Sequence, residues 1–261
     1  MLLEIAAVKR TTFAALLPLI LFLSARPGSV AIADDAKANA PAPSPVAKAA
    51  GDTNTAAADP NKGAGQPPDQ EDPKAKLLAV FKAEKPITNS LGMFMIWVPQ
   101  HYRVSRYEVT QGEFEQVMKT NSSKFPGDRH PVENVTCEEA GEFCKKLTKQ
   151  EQADGKLPDT FYYALPSEAQ WDFYVDDATL DDAITSFRGD RRNPENVGSL
   201  GTNKFGLYDV RGNVFEWCSG CVARGGSWRT FEDWLAIRFR YIGTPGRRYD
   251  DIGFRCVLME Q

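Results

Sequence analysis

Three stretches of this chain space their apolar residues at the helical period: Phe114, Val117 and Met118; Ala140, Phe143, Cys144 and Leu147; and Trp171 with Tyr174. Side chains three and four apart share one face of an α-helix, so each stretch predicts a short amphipathic helix of two to four turns. The starts are legible too. Thr110 with Glu113, Thr136 with Glu139 and Ser167 with Gln170 each place a hydroxyl residue three positions before a Glu or Gln. In that arrangement the hydroxyl and the later side chain satisfy backbone donors reciprocally at a helix N-terminus. The segments Phe94–Val98, Tyr102–Val109, Tyr162–Leu165, Ile237–Tyr241 and Ile252–Leu258 are instead rich in aromatic and β-branched residues and predict strands. Helices early, strands late and long irregular connections between them make an α+β domain of small antiparallel sheets.

The front of the chain follows different rules. Lys9 and Arg10 precede the apolar run Phe13 to Leu23, and a small-residue stretch ends in Ala31-Ile32-Ala33. Residues 1–33 therefore read as an export signal, because ~11 apolar residues fall short of the ~20 that span a bilayer. The alternative is an uncleaved N-terminal anchor, the one route by which this chain would meet a membrane. Residues 34–72 are dominated by Ala, Pro, Gly, Lys, Asp and Asn, carry no aromatic residue, and cannot offset ordering entropy by burial. They are expected to form a disordered linker. A short helical lead-in, 73–85, precedes the domain proper at 86–261.

The net charge of −4 and the lack of basic residues interleaved with aromatics give no reason to expect a nucleic-acid partner. Two histidines, His101 and His130, lie apart without metal-ligand spacing. The sequence holds no nucleophile elbow, Walker loop or dinucleotide fingerprint. Five cysteines in an exported chain favour disulfides, with one left over.

The most informative run is Lys204 to Trp217, K-F-G-L-Y-D-V-R-G-N-V-F-E-W, followed by R-G-G-S-W at Arg224 to Trp228 and G-F-R-C at Gly253 to Cys256. Upstream come N-S-L-G-M at Asn89, Y-E-V-T-Q at Tyr107, P-V-E-N-V at Pro131 and L-P-S-E-A-Q-W at Leu165, all in one order. From about residue 86 to 258 the chain resembles the formylglycine-generating enzyme family, also called the sulfatase-modifying factor family. That resemblance implies a variant of the C-type lectin fold.

It also bears on chemistry. Asp209, the carbonyls of Gly212 and Val214, and Glu216 form an oxygen set suited to one Ca2+, the alternative being a plain Gly212-Asn213 turn. Cys144 and Cys256 occupy positions at which the family forms a disulfide; two buried free thiols are the other reading. Cys218 and Cys221, in C-S-G-C, read as a local disulfide or as a redox-active or metal-binding pair, which leaves Cys137 unpaired. Catalytic members carry two cysteines three and eight residues after the Ser of G-G-S, and these bind Cu(I) and oxidise a client cysteine to formylglycine. Here those positions are Thr230 and Leu235, and no cysteine lies between Cys221 and Cys256. Hard oxygen or hydrocarbon side chains do not hold Cu(I), so copper is not expected.

What remains is a surface. Trp228, Arg229, Phe231, Trp234, Arg238 and Arg240, with Arg247 and Arg248 behind them, are candidates for a ligand groove, since aromatic and arginine side chains anchor protein recognition. Against this, Trp228 reads equally as core, and Arg238 with Arg240 as one polar strand face. The sequence thus points to an exported, non-catalytic binding or scaffold module for a protein, peptide or glycan. The rival is a divergent oxidoreductase of the same family acting through Cys218 and Cys221.

Overall fold

The computed structural model describes residues 72–181, 183–186, 191–231 and 234–261. The expected export signal and linker lie outside these residues, apart from Asp72. Asp72 caps helix α1, Pro73–Lys82, by accepting the Lys74 N–H at 3.1 Å, and proline at the first helical position costs no hydrogen bond.

The three expected helices begin where their capping boxes lie. Helix α2 is Gln111–Met118 with Thr110 as N-cap, α3 is Cys137–Ala153 with Thr136, and α4 is Glu168–Val175 with Ser167; both reciprocal hydrogen bonds are present in each. Along α3, Ala140, Phe143, Cys144 and Leu147 are all buried. Phe143 stacks on Phe114 of α2 at 5.7 Å and meets Phe254 edge-on at 5.4 Å. Each such side chain removed from water stabilises the fold by roughly 1.5 to 3 kcal/mol.

Two sheets complete the domain. The first runs β1-β2-β3-β9-β4 and is antiparallel throughout, with β1 at Ile87–Thr88, β2 at Phe94–Val98, β3 at Tyr102–Ser105, β4 at Phe161–Ala164 and β9 at Val257–Glu260. The second has the order β7-β6-β5-β8, with β5 at Phe215–Cys218, β6 at Val222–Arg224, β7 at Tyr241–Ile242 and β8 at Ile252–Gly253. Only its β5–β8 pairing is parallel. One apolar cluster gathers Phe114, Phe143, Leu147, Trp217 and Phe254. A second gathers Val98, Val104, Trp171, Tyr174, Leu207 and Val257. The fold is α+β, as expected.

Three strand expectations need correction. The strand from Tyr102 stops at Ser105, because its hydroxyl, rather than a backbone carbonyl, accepts the Cys256 N–H and ends the regular ladder. The segment from Ile237 is strand only from Tyr241; the Phe239 N–H bonds to the Ala236 carbonyl in a turn. Ile252–Leu258 divides into β8 and β9 on different sheets, since Arg255 between them is drawn inward by four acceptors.

Candidate functional site

The Asp209 to Glu216 loop is folded around a buried ion pair. Glu216 Oε1 accepts from Arg255 Nε at 2.7 Å and Nη2 at 2.6 Å, while the Tyr174 hydroxyl donates to Oε2 at 3.2 Å. Arg255 also donates to the carbonyls of Ser105, Arg106 and Tyr208. Burial works most strongly, lowering the guanidinium pKa, but the charge and hydrogen bond of Glu216, with Tyr174 and Glu108 beside it, together outweigh it, and the net direction is up. Glu108 reaches the same loop, accepting from Val214 N at 3.1 Å and Asn213 Nδ2 at 2.6 Å. Burial, with the charges of Asp209 and Glu216 beside it, pushes the Glu108 carboxyl well above the ordinary range.

This geometry tests the expected cation set. Asp209 is 5% exposed; its Oδ2 accepts the Gly198 N–H at 2.6 Å, and its Oδ1 is buried without a partner among the described residues. Burial pushes its carboxyl up to about 6, against the opposing Gly198 N–H and Arg255. An orphaned carboxylate oxygen in a pocket already rich in negative charge fits a hard cation. Glu216 fits less directly, because Arg255 and Tyr174 already engage its two oxygens. Gly212, at φ +86°, sits so close to Ile184 that an added Cβ would lie 2.6 Å from the Ile184 carbonyl oxygen.

The G-G-S turn holds the family framework without its thiols. An added Cβ at Gly226 would lie 2.7 Å from Leu235 Cδ2 and 3.7 Å from Thr230 Cβ, so both substituted positions converge on one glycine. Thr230 Oγ1 accepts the Ser227 N–H at 2.8 Å and bonds the Ser227 hydroxyl at 3.0 Å. Leu235 is 2% exposed. One position is thus a hydrogen-bonding plug and the other is hydrocarbon core.

The cysteines pair differently from the local expectation. Cys221 forms a disulfide with Cys137, not with Cys218, and Cys137 is therefore not the odd thiol. The hairpin explains this. Cys218, the last residue of β5, points into the Trp171 cluster, whereas Cys221 lies in the turn and packs against the other cluster, which includes Cys137. Burial holds the Cys218 thiol well above its ordinary pKa. Cys144 and Cys256 face each other with sulfurs 3.6 Å apart as free buried thiols.

The expected single groove is two clefts. Trp228 is buried and meets Phe125 edge-on at 5.4 Å, so it is core. The first cleft, about 590 Å3, includes Arg229, Trp234, Tyr241, Arg247 and Tyr249. Trp234 is 58% exposed and stacks flat on Phe239 at 5.7 Å, while Arg229 pairs with Asp250 and Asp251. The second cleft, about 780 Å3, includes Glu168, Asp172, Arg211, Arg224, Arg238 and Arg240. There Arg224 stacks over Trp171 at 4.5 Å and bonds Glu168 at 3.0 Å and Asp172 at 2.5 Å. Phe231 is largely exposed. The acidic partners Asp250, Asp251, Glu168 and Asp172 were not foreseen from sequence. They come from other elements, and only the fold brings them to the arginines.

Residues 81–259 match the model of the sulfatase-modifying factor enzyme 1-like domain. Among curated relatives, a serine/threonine-protein kinase pkn1 of Chlamydia caviae is 26% identical over 163 residues, covering 49% of this chain and 24% of the kinase. The chaperone protein LppX of Paenibacillus barcinonensis is 24% identical over 193 residues, covering 49% of this chain and 69% of the chaperone. The chain thus spans about a quarter of the kinase's length. Among solved structures, Treponema denticola variable protein 1 superposes with a TM-score of 0.54 at 24% identity, covering 66% of this chain and 93% of that one. PvdO from Pseudomonas aeruginosa gives 0.51 at 22% identity, covering 60% and 80%. At these identities the structures establish the fold alone. With its motifs, its fold and the family match across residues 81–259 in agreement, the chain belongs to the sulfatase-modifying factor family of formylglycine-generating-enzyme-like domains.

Proposed function

We propose that this domain does not generate formylglycine and instead works as an exported binding or scaffold module, taking a protein, peptide or glycan at the clefts beside the G-G-S turn. The observation that carries this reading is the pair Thr230 and Leu235. Both sit against Gly226 at the positions of the copper-binding thiols, and neither supplies a soft ligand. The rival oxidoreductase reading loses its natural pair, since Cys221 is bonded to Cys137 and Cys218 is buried with its thiol disfavoured as thiolate. The Cys137–Cys221 disulfide is compatible with an oxidising, exported setting. The purified protein, given Cu(I), oxygen and a cysteine-containing sulfatase-type peptide, should leave the thiol intact by mass spectrometry. Conversion to aldehyde that disappears on Cys218→Ala would instead make it an enzyme.

The same reading includes one Ca2+ at the Asp209 loop, supported by the orphaned Asp209 Oδ1. Asp209→Asn is the discriminating variant, because it keeps the side chain's shape while removing its charge. Glu216 variants would also break the Arg255 pair. Elemental analysis after dialysis should find about one calcium. Calcium at a hundredfold excess over Kd should add about 2.7 kcal/mol of stability, lost with a chelator and absent in the variant. A melting temperature indifferent to both would reject the site.

A further inference from the structure

The two clefts flank one segment, residues 229–248, whose charge differs from that of the chain as a whole. The protein carries a net charge of −4, yet this segment holds five arginines, Arg229, Arg238, Arg240, Arg247 and Arg248, against Glu232 and Asp233, which lie outside the described residues. Each cleft repeats the imbalance. The first sets Lys124, Arg229, Arg247 and Arg248 against Asp250 and Asp251. The second sets Arg211, Arg224, Arg238 and Arg240 against Glu168 and Asp172. Four cations against two anions leaves the second cleft at two positive charges, and the first at one, since Glu139 from outside its lining pairs with Arg248.

The arginines are not all spent on their neighbours. Arg238 is exposed and has no ion-pair or hydrogen-bond partner among the described residues, and Arg247 is held only by its stacking over Tyr249 at 5.1 Å and by its backbone N–H. Arg240 shows what such a guanidinium does here, since it grips Glu168 as a fork, Nε to Oε2 at 2.5 Å and Nη2 to Oε1 at 2.6 Å. Between the cationic groups stand exposed apolar side chains: Phe231 at 72%, Trp234 at 58% and Ile237 at 39%. Exposed aromatics and arginines together are what a recognition surface requires.

From this we infer that the partner is an acidic peptide segment, its aspartates or glutamates set on Arg238 and Arg247 and its apolar side chains on Trp234 and Ile237. This rests on the binding-module reading and gives it a ligand class. A peptide is favoured over a sulfated glycan because the surface pairs its cations with aliphatic and aromatic contacts, and because a carboxylate is already gripped in the second cleft. Complementary charge steers encounter and gives specificity, so binding should weaken as salt rises.

The test is fluorescence anisotropy of the full chain with a labelled dodecapeptide alternating Glu with Leu and Phe, against the same peptide with Lys for Glu. The acidic peptide should bind and the basic one should not. Arg238→Glu, which breaks no hydrogen bond or ion pair among the described residues, should weaken binding about tenfold with an unchanged melting temperature. Equal binding of both peptides, lost in Trp234→Ala but indifferent to Arg238→Glu, would overturn the acidic partner while leaving a binding module. Binding of heparin in preference to the peptide would assign the surface to a sulfated glycan. No binding to any probe would remove this inference, and the formylglycine assay would then judge the broader reading separately.

Discussion

Replacing Arg255 with Met should lower the domain's stability by about 3 to 5 kcal/mol, enough to drop the melting temperature by roughly 10 °C. Arg255 is 0% exposed and Glu216 is 1% exposed, so the variant strands a carboxylate where water cannot reach it. The carbonyls of Ser105, Arg106 and Tyr208 lose their donor in the same step. Burying two charges is itself costly, so the pair need not be a net gain over an apolar core; the loss comes from breaking one half. Arg255→Met combined with Glu216→Leu should therefore recover part of the stability lost in the single variant, a coupling that chemical denaturation can measure. A single variant within ~1 kcal/mol of the parent would show that the pair is not desolvated as the structure has it.

The second large effect is expected at Gly212. Gly212→Ala should destabilise by about 3 kcal/mol or more, combining two penalties. Its φ of +86° is unfavourable for any residue with a Cβ, and that Cβ would meet Ile184 backbone atoms at 2.6 and 2.8 Å. Backbone cannot swing aside as a flexible side chain can. Gly141 supplies the control, because it lies within α3 and an added Cβ there meets nothing within 4 Å. Gly141→Ala should be neutral or stabilising by roughly 0.5 to 1 kcal/mol. Equal thermal melts for the two variants would remove the argument for a tight Gly212–Ile184 approach.

The helices were legible in the sequence because a capping box is a local device: Thr110, Thr136 and Ser167 each find their partner three residues away. The strands were legible in part. β2 at Phe94–Val98 needs only its own apolar content, whereas the division of residues 252–258 between two sheets depends on Arg255 meeting Glu216, 39 residues earlier. Cysteine pairing failed for a related reason. The C-S-G-C spacing places two thiols close in sequence, but a hairpin turn with Gly220 and Cys221 at positive φ sends them to different cores. In the Asp209–Glu216 loop, Asp209 keeps an oxygen unpartnered among the described residues while Glu216 is committed to Arg255, whose approach from 39 residues away no local pattern announces. The substitution of Thr230 and Leu235, by contrast, needed no structure, because it is read by counting from Ser227.

The segment from Ile252 to Glu260 has a consequence for how the domain is made. Its first half is the parallel partner of β5 in one sheet, and its second half is inserted between β3 and β4 in the other. During synthesis, residues 87–105 and 161–164 can exist long before the strand that joins them, so β4 has helix α3 beside it but no strand partner until β9 arrives. Contacts of such long sequence separation carry a loop-closure cost and slow the reaction. Assembly of the first sheet is therefore gated by residues 257–260, and the domain stays unfinished until they have been released.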